Sequence, residues 1–495
     1  MKALRKFEND RRLETWKQRL RSSDRECWRW LTKQAVAPNI NIDNARNASD
    51  SLRVLVTYWQ QIWNRNETWH AALEASRPFL NSTMTLQDEP LDLDVLTSVA
   101  RSQTGRAASM DGWLGSEVSE LPDVVLTHIL GYFNLFQVSG VVPSSWKWLK
   151  QVHVPKNSDS KSAKDWRPIA VMSIWYRLWS ASKFKSSRCQ QWFRHWLPPQ
   201  AVGGKKGGEV YDALCQLDFH QHTISLDFRH AFDTVHPKLA LGIFAALGMG
   251  RQTIDILEAV WCHQLRYMAL DSEFLTTPLQ VGSSVPQGDS FSLMAMLAVL
   301  VAPTSDLVGR YPRVTLRTFV DDRTFTGPVD QVLAMKDGWR EWSSILGLTE
   351  NETKTNYFHR TPTGRKKFCD FGVAADLISL KPKILGCELK PSHGRTTTDR
   401  EKQRLQDSVH YILTARYLPL PWNKLKVFIV GQGLSRAAWG WFWRLPPRHE
   451  AQKVQTAVKK ALSESPVASK PLQQIVRGPS SNLPCRIITD LVRMA

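Results

Sequence analysis

The chain has 495 residues, 65 Lys and Arg against 46 Asp and Glu, and a formal charge of +19. That excess suits a polyanionic partner bound through counterion release. Its seven cysteines stand singly, with no Cys-x-x-Cys pair, so neither a zinc site nor a disulfide framework is signalled. A reducing intracellular setting, nuclear or cytoplasmic, is the default expectation. The start carries no apolar signal core, and the longest apolar run, Leu293 to Pro303, is too short to span a bilayer. No membrane partner is expected.

Residues 1–95 read as a helical N-terminal extension. Arg5 to Trp30 has helical spacing, with Trp16, Leu20, Cys27, Trp28 and Leu31 as apolar positions. Ser51 to Leu80 repeats the pattern with Leu52, Leu55, Tyr58, Trp59, Ile62 and Trp69. Tryptophans among basic residues can stack nucleic-acid bases, but an amphipathic core is the preferred reading. Helices are expected over Leu91–Val99 and Leu121–Gly140, then a strand over Lys150–Lys156. Gln200 to Glu209 is a basic, Gly-rich loop, but it lacks the Gly-x-x-x-x-Gly-Lys-Ser/Thr spacing of a phosphate loop.

Two strand-end acids stand out further on. Thr223-Ile224-Ser225-Leu226 is apolar and β-branched and runs into Asp227. Val314 to Thr326 is strand-like on both sides of Asp321-Asp322. Two adjacent acids suit the tip of a hairpin, where they are costly unless a cation neutralises them. Alone, such a pair is an ordinary acidic turn. A second strand-end carboxylate 94 residues upstream (321 − 227) changes that reading. Mg²⁺ takes hard oxygen ligands, few of them from protein, and two such ions clamp an in-line phosphoryl or nucleotidyl transfer.

Leu226-Asp227 with Ala231-Phe232-Asp233-Thr234-Val235 resembles the first metal motif of reverse transcriptases of the non-LTR retrotransposon type. Phe319-Val320-Asp321-Asp322 resembles their aromatic-x-Asp-Asp motif, and Val285-Pro286-Gln287-Gly288 their Gln-Gly motif. Arg167-Pro168-Ile169 is similar to their Arg-Pro-Ile motif, and Gly347-Leu348 with Asn351 and Lys354-Thr355 to their Gly-Leu-x-x-Asn-x-x-Lys-Thr. Lys383 to Cys387 resembles the Leu-Gly primer-grip hairpin. The loop 200–209 resembles a Gly-Phe segment, with Gly203-Gly204 in place of Gly-Phe, and is expected on the template side.

The resemblance implies an α+β right-hand polymerase. Fingers and an antiparallel palm sheet fall at 96–390, a helical thumb at 391–460 and a basic tail at 461–495. It implies RNA-directed DNA synthesis on an RNA template and a DNA primer with deoxynucleoside triphosphates. Two Mg²⁺ ions, or Mn²⁺, are implied at Asp227, Phe228, Asp321 and Asp322, the three acids being catalytic. Lys156, Arg167, Phe232, Gln287, Gly288 and Lys354 are implied as nucleotide-binding, with Phe232 as the gate against a ribose 2′-hydroxyl. Phe232 and Arg-Pro-Ile speak against an RNA-templated RNA polymerase.

The chain departs from the pattern where Ser290 and Leu293 replace two prolines after Gln287-Gly288, so a less rigid loop is expected. No endonuclease constellation is visible in residues 1–95 and no RNase H constellation of acids in the tail after Pro446. The alternative reading is a catalytically inactive nucleic-acid-binding remnant.

Overall fold

The computed structural model describes residues 11, 13–21, 27, 42–65, 69–156, 160–205, 207–271, 273–388, 399–439, 441 and 446–462. The expected positions Trp28 and Leu31, Lys206 of the Gly-rich loop and the tail from 463 onward lie outside these. Two compact units form: 38–379, and 1–37 together with 380–495. The division between them falls at 38 and 380.

The larger unit opens with α1 (Ala48–Trp63), whose Asn47 side chain caps the Asp50 amide. Leu52, Leu55, Trp59 and Trp63 are buried at helical spacing. They share a core cluster with Trp166, Met268 and Leu270, which packs α1 into this unit.

A mixed five-stranded sheet follows. It contains β1 (Trp148–Pro155), β2 (Trp166–Met172) and, after α2 (Ile174–Lys185), three later strands. Strand β3 (His222–Leu226), the two-residue β4 (Phe228–Arg229) and the short helix α3 (Ala231–Thr234) come next. Helices α4 (Pro237–Ala246) and α5 (Arg251–Trp261) lead into β5 (Leu265–Leu270), β6 (Glu273–Phe274) and β7 (Leu279–Gln280). The first sheet runs β2-β1-β5-β6, with β7 also on β5 and β1 parallel to β5.

Helix α6 (Ser292–Val299), which begins the apolar run 293–303, is buried nearly all round. Ser292–Arg310 is the one described stretch long and apolar enough to cross a membrane, and 72% of it is buried inside the fold. Strands β8 (Thr315–Phe319) and β9 (Asp322–Gly327), helix α7 (Val329–Leu346), β10 (Thr349–Glu350) and β11 (Asn356–Phe358) complete the unit. The second sheet is antiparallel, in the order β11-β3-β9-β8. β3 is buried along its whole length, so Ile224 and Leu226 tie this sheet into the main core.

The smaller unit has a two-stranded hairpin, β12 (Lys383–Ile384) with β13 (Cys387–Glu388). Leu385 and Gly386 turn it with φ of 48° and 82°, the left-handed pair a two-residue hairpin demands. Helices α8 (Asp399–Ala415), α9 (Trp422–Phe428) and α10 (Arg448–Leu462) surround a core of Leu405, Ile412, Val454 and Val458. The architecture is therefore mixed, with helices around several sheets.

Candidate active site

The expected hairpin forms, and its tip is tight. Phe319 pairs with Asp322, leaving Val320 and Asp321 as a two-residue turn. Val320 has φ 60°, a left-handed conformation that costs a β-branched residue about 1–3 kcal/mol. Neighbouring backbone holds it there. Val202 N–H donates to Thr318 O at 2.9 Å, and Thr318 N–H to Gln200 O at 2.9 Å. A Cβ on Gly203 would lie 2.8 Å from Val320 N and 2.9 Å from Phe319 Cα, so only glycine lets this loop lie against the tip. The loop expected on the template side thus pairs along β8.

Asp227 ends β3. Leu226 pairs with Arg323, and one further step of that register sets Asp227 beside Asp322. The charges register this closeness. Burial first, then Asp321 and Asp227, push the Asp322 carboxyl up to about 7, against Lys354 and Arg323. Burial and Asp227 also raise Asp321. Lys354 Nζ donates to Asp227 Oδ2 at 2.5 Å and Asn351 Nδ2 donates to it at 3.2 Å. Asn351 N–H also donates to Asp227 O at 2.9 Å, so the Gly347–Thr355 segment wraps onto the first acid.

Phe228 is buried and paired with Glu350, and only its backbone carbonyl has oxygen to offer a cation. Among the described residues no group of three or more His, Cys, Asp and Glu is arranged to hold a metal ion. The donors that are present are hard carboxylates, and the raised Asp321 and Asp322 carboxyls mark the crowding of negative charge that a divalent cation relieves. Mg²⁺ needs only one or two protein carboxylates when phosphates supply the rest.

Behind the tip sits a residue the sequence did not flag. Arg323 is fully buried and forms a fork onto Glu350, at 2.7 and 2.9 Å. Its guanidinium lies 3.4 Å from the Phe228 ring centroid and 4.9 Å from that of Trp339. Strand alternation sends Arg323 to the α7 side and Asp322 to the other.

The Gln-Gly loop meets β2. Ala170 N–H donates to Gln287 O at 2.8 Å. Gly288 has φ +132°, and a Cβ there would lie 2.4 Å from Ala170 O. The loop is not loosened by the lost prolines. Buried Asp289 pins it, accepting from Tyr176 Oη at 2.5 Å, Trp261 Nε1 at 2.9 Å and Phe291 N–H at 2.7 Å. Ser292 Oγ adds a bond to Pro286 O at 2.7 Å.

Arg167 is exposed on β2, and Lys156 follows β1, its Nζ donating to Lys164 O at 2.5 Å. Partial desolvation lowers the Lys156 amine; Asp165 opposes this while Lys354 and Arg167 push the same way. Lys156, Arg167 and Lys354, the partner of Asp227, are thus within electrostatic reach of one another. Phe232, on α3, is half-buried against the main core. Neither Arg323, Asp289 nor the Tyr58–His230 contact at 2.9 Å was singled out from sequence, because each depends on partners distant in the chain.

No family model matches the chain. Over 248 residues it is 25% identical to the "Transposon TX1 uncharacterized 149 kDa protein" of Xenopus laevis, covering 44% of this chain and 19% of that protein. Over 179 residues it is 24% identical to the "Retrovirus-related Pol polyprotein from type-1 retrotransposable element R2" of Popillia japonica, covering 34% of this chain and 25% of that protein. The curated relatives are non-LTR retrotransposon proteins. The resemblance carried by the Asp227 and Asp321 motifs therefore meets relatives of the same kind of element. The chain matches 19% and 25% of those relatives' own lengths.

Proposed function

We propose that this chain is the RNA-directed DNA polymerase of a retroelement, extending a primer 3′-hydroxyl with deoxynucleotides in the palm of a right-hand fold. The observation that supports this reading is the antiparallel register of β3 on β9, in which Leu226 pairs with Arg323, so that the next step along both strands brings Asp227 level with Asp322 at the hairpin tip. Asp227, Asp321, Asp322 and the Phe228 carbonyl are the groups that would hold Mg²⁺ or Mn²⁺. When bound, the two ions supply activation of the primer hydroxyl and neutralisation of phosphate charge.

The chain's own residues do the rest. Arg167 and Lys156 grip the triphosphate, whose leaving pyrophosphate gains charge. Lys354 is 67% exposed, so its bond to Asp227 is weak and easily exchanged for a phosphate. Its proton is then at hand for the leaving group. Gln287 and Gly288 approach the nascent base pair, and Phe232 closes the space beneath the sugar. The pinned Asp289 loop favours a working enzyme over an inactive remnant. Primer extension on an RNA template with Mg²⁺ decides between them: product supports the polymerase, and binding of template without extension supports the remnant.

Sugar selection gives a second test. Phe232→Ala is expected to raise ribonucleotide use relative to deoxynucleotide use by about tenfold or more, since a packed site rejects a bulky addition. A Phe that only fills core would instead cost up to about 3–5 kcal/mol on truncation and lower both activities together. Incorporation of each sugar, measured beside the melting temperature, separates these outcomes.

A further inference from the structure

Asp233 stands in none of the roles above, yet it is 1% exposed and lies between two segments of the site. Its Oδ1 accepts from Trp63 Nε1 at 2.9 Å, and its Oδ2 accepts from Gln287 Nε2. We infer that Asp233 is a positioning residue: it fixes the amide of Gln287 and ties that amide to helix α1. This rests on the polymerase reading of the site.

The chemistry is one of forced roles. An ionised carboxylate accepts and cannot donate, and an indole donates and cannot accept. Gln287 must therefore present its NH₂ end to Asp233, which turns its Oε1 away from Asp233. Gln287 is half-buried, so the amide reaches both the buried carboxylate and the open side of the loop. Without Asp233 the amide would be free to exchange its two ends. A buried carboxylate is a costly way to hold a loop, so a role in orientation is better grounded than one in stability. Burial, opposed first by Arg266 and then by Trp63 and Gln287, raises the Asp233 carboxyl to about 6.

Helix α1 supports the arrangement at neighbouring points. The Arg266 guanidinium lies 4.2 Å from the Trp63 ring centroid, holding the indole in place. Ser283 N–H and Oγ both donate to Trp63 O, at 2.7 and 2.9 Å, anchoring the segment that leads to Gln287. Tyr58 Oη meets His230 Nε2 at 2.9 Å, just before Phe232. The charged and titratable groups facing Asp233 are Arg266, Lys156 and Tyr58.

The experiment is a double-mutant cycle on primer extension with Asp233→Asn and Gln287→Ala. Each single variant is expected to raise KM for deoxynucleotide about tenfold with a smaller change in kcat, and the double variant to be no worse than Gln287→Ala alone. Additive losses would overturn the inference, because Asp233 would then act independently of Gln287. If Asp233→Asn does not fold, Gln287→Glu replaces it. Two facing carboxylates must share a proton, so the variant-to-wild-type KM ratio should fall about fivefold from about pH 8.5 to about pH 6.5. A flat ratio overturns the inference. Wild-type protein that extends no primer removes the polymerase reading and this inference together, whereas active wild type with an additive cycle removes this inference only.

Discussion

Asp321→Asn is expected to lower primer extension by about 10³-fold or more, the scale of losing an electrostatic anchor of the transition state. The substitution removes charge and almost no volume, so folding should survive it. Stability should even improve, because burial and Asp227 both disfavour the ionised carboxyl. A readout without turnover separates cation binding from other causes. Mg²⁺ should raise the melting temperature of the wild type, since a ligand of the folded state stabilises by mass action. That rise should be small or absent in Asp321→Asn. Full extension by the variant, or an equal Mg²⁺ response, would falsify the cation assignment.

The neighbouring acid predicts a pH slope. Asp322 is raised from 3.8 to about 7 in the folded protein. The folded state therefore holds an extra proton between those values, and stability falls as pH rises through that window. Above about 7 the loss is complete. Discounted for partial exposure and solvent screening, it amounts to about 1–2 kcal/mol. Asp322→Asn should flatten the dependence and be the more stable protein at pH 8. Denaturant midpoints at pH 5 and pH 8 measure it, and parallel slopes in both proteins would sink the assignment.

Some of this was legible in the sequence because the signals are local. β-branched flanks around two adjacent acids announce a hairpin tip, and the tip is where Asp321 lies. The apolar run before Asp227 gives a fully buried β3. Leu52, Leu55 and Trp59 at helical spacing announce a buried stripe, but not its partner. Their partners, Met268 and Leu270, come from a strand two hundred residues on, which is why α1 joins the larger unit. The lost prolines read as a loosened loop because proline stiffens a backbone by itself. Asp289 stiffens it through Tyr176 and Trp261, a contact that only the folded chain makes. A basic residue after a turn reads as solvated unless its acid is known. Arg323 has Glu350, 27 positions away and brought beside it by β10 pairing with β4.

Arg323→Met should therefore be the most destabilising single change near the site. It leaves the Glu350 side chain, 10% exposed, without its guanidinium partner and with the Ser343 hydroxyl donating at 2.6 Å, and breaking one side of a buried pair costs about 3–5 kcal/mol. The double change Arg323→Met with Glu350→Leu should recover much of that, since removing both charges removes the unpaired one. Arg323→Lys tests a different property. It keeps the charge but loses the fork and the stacking on Phe228 and Trp339, so the pair becomes a single contact. Asp322 adjoins Arg323 on β9, and the turn at Val320 is already strained. A looser Arg323 should let the tip relax and move the two acids apart. Primer extension should then fall more in Arg323→Lys than its melting temperature suggests. Denaturant midpoints for the three variants, with extension rates beside them, give the comparison. A loss below about 1 kcal/mol for Arg323→Met would place the pair among surface ion pairs and deny it the hairpin.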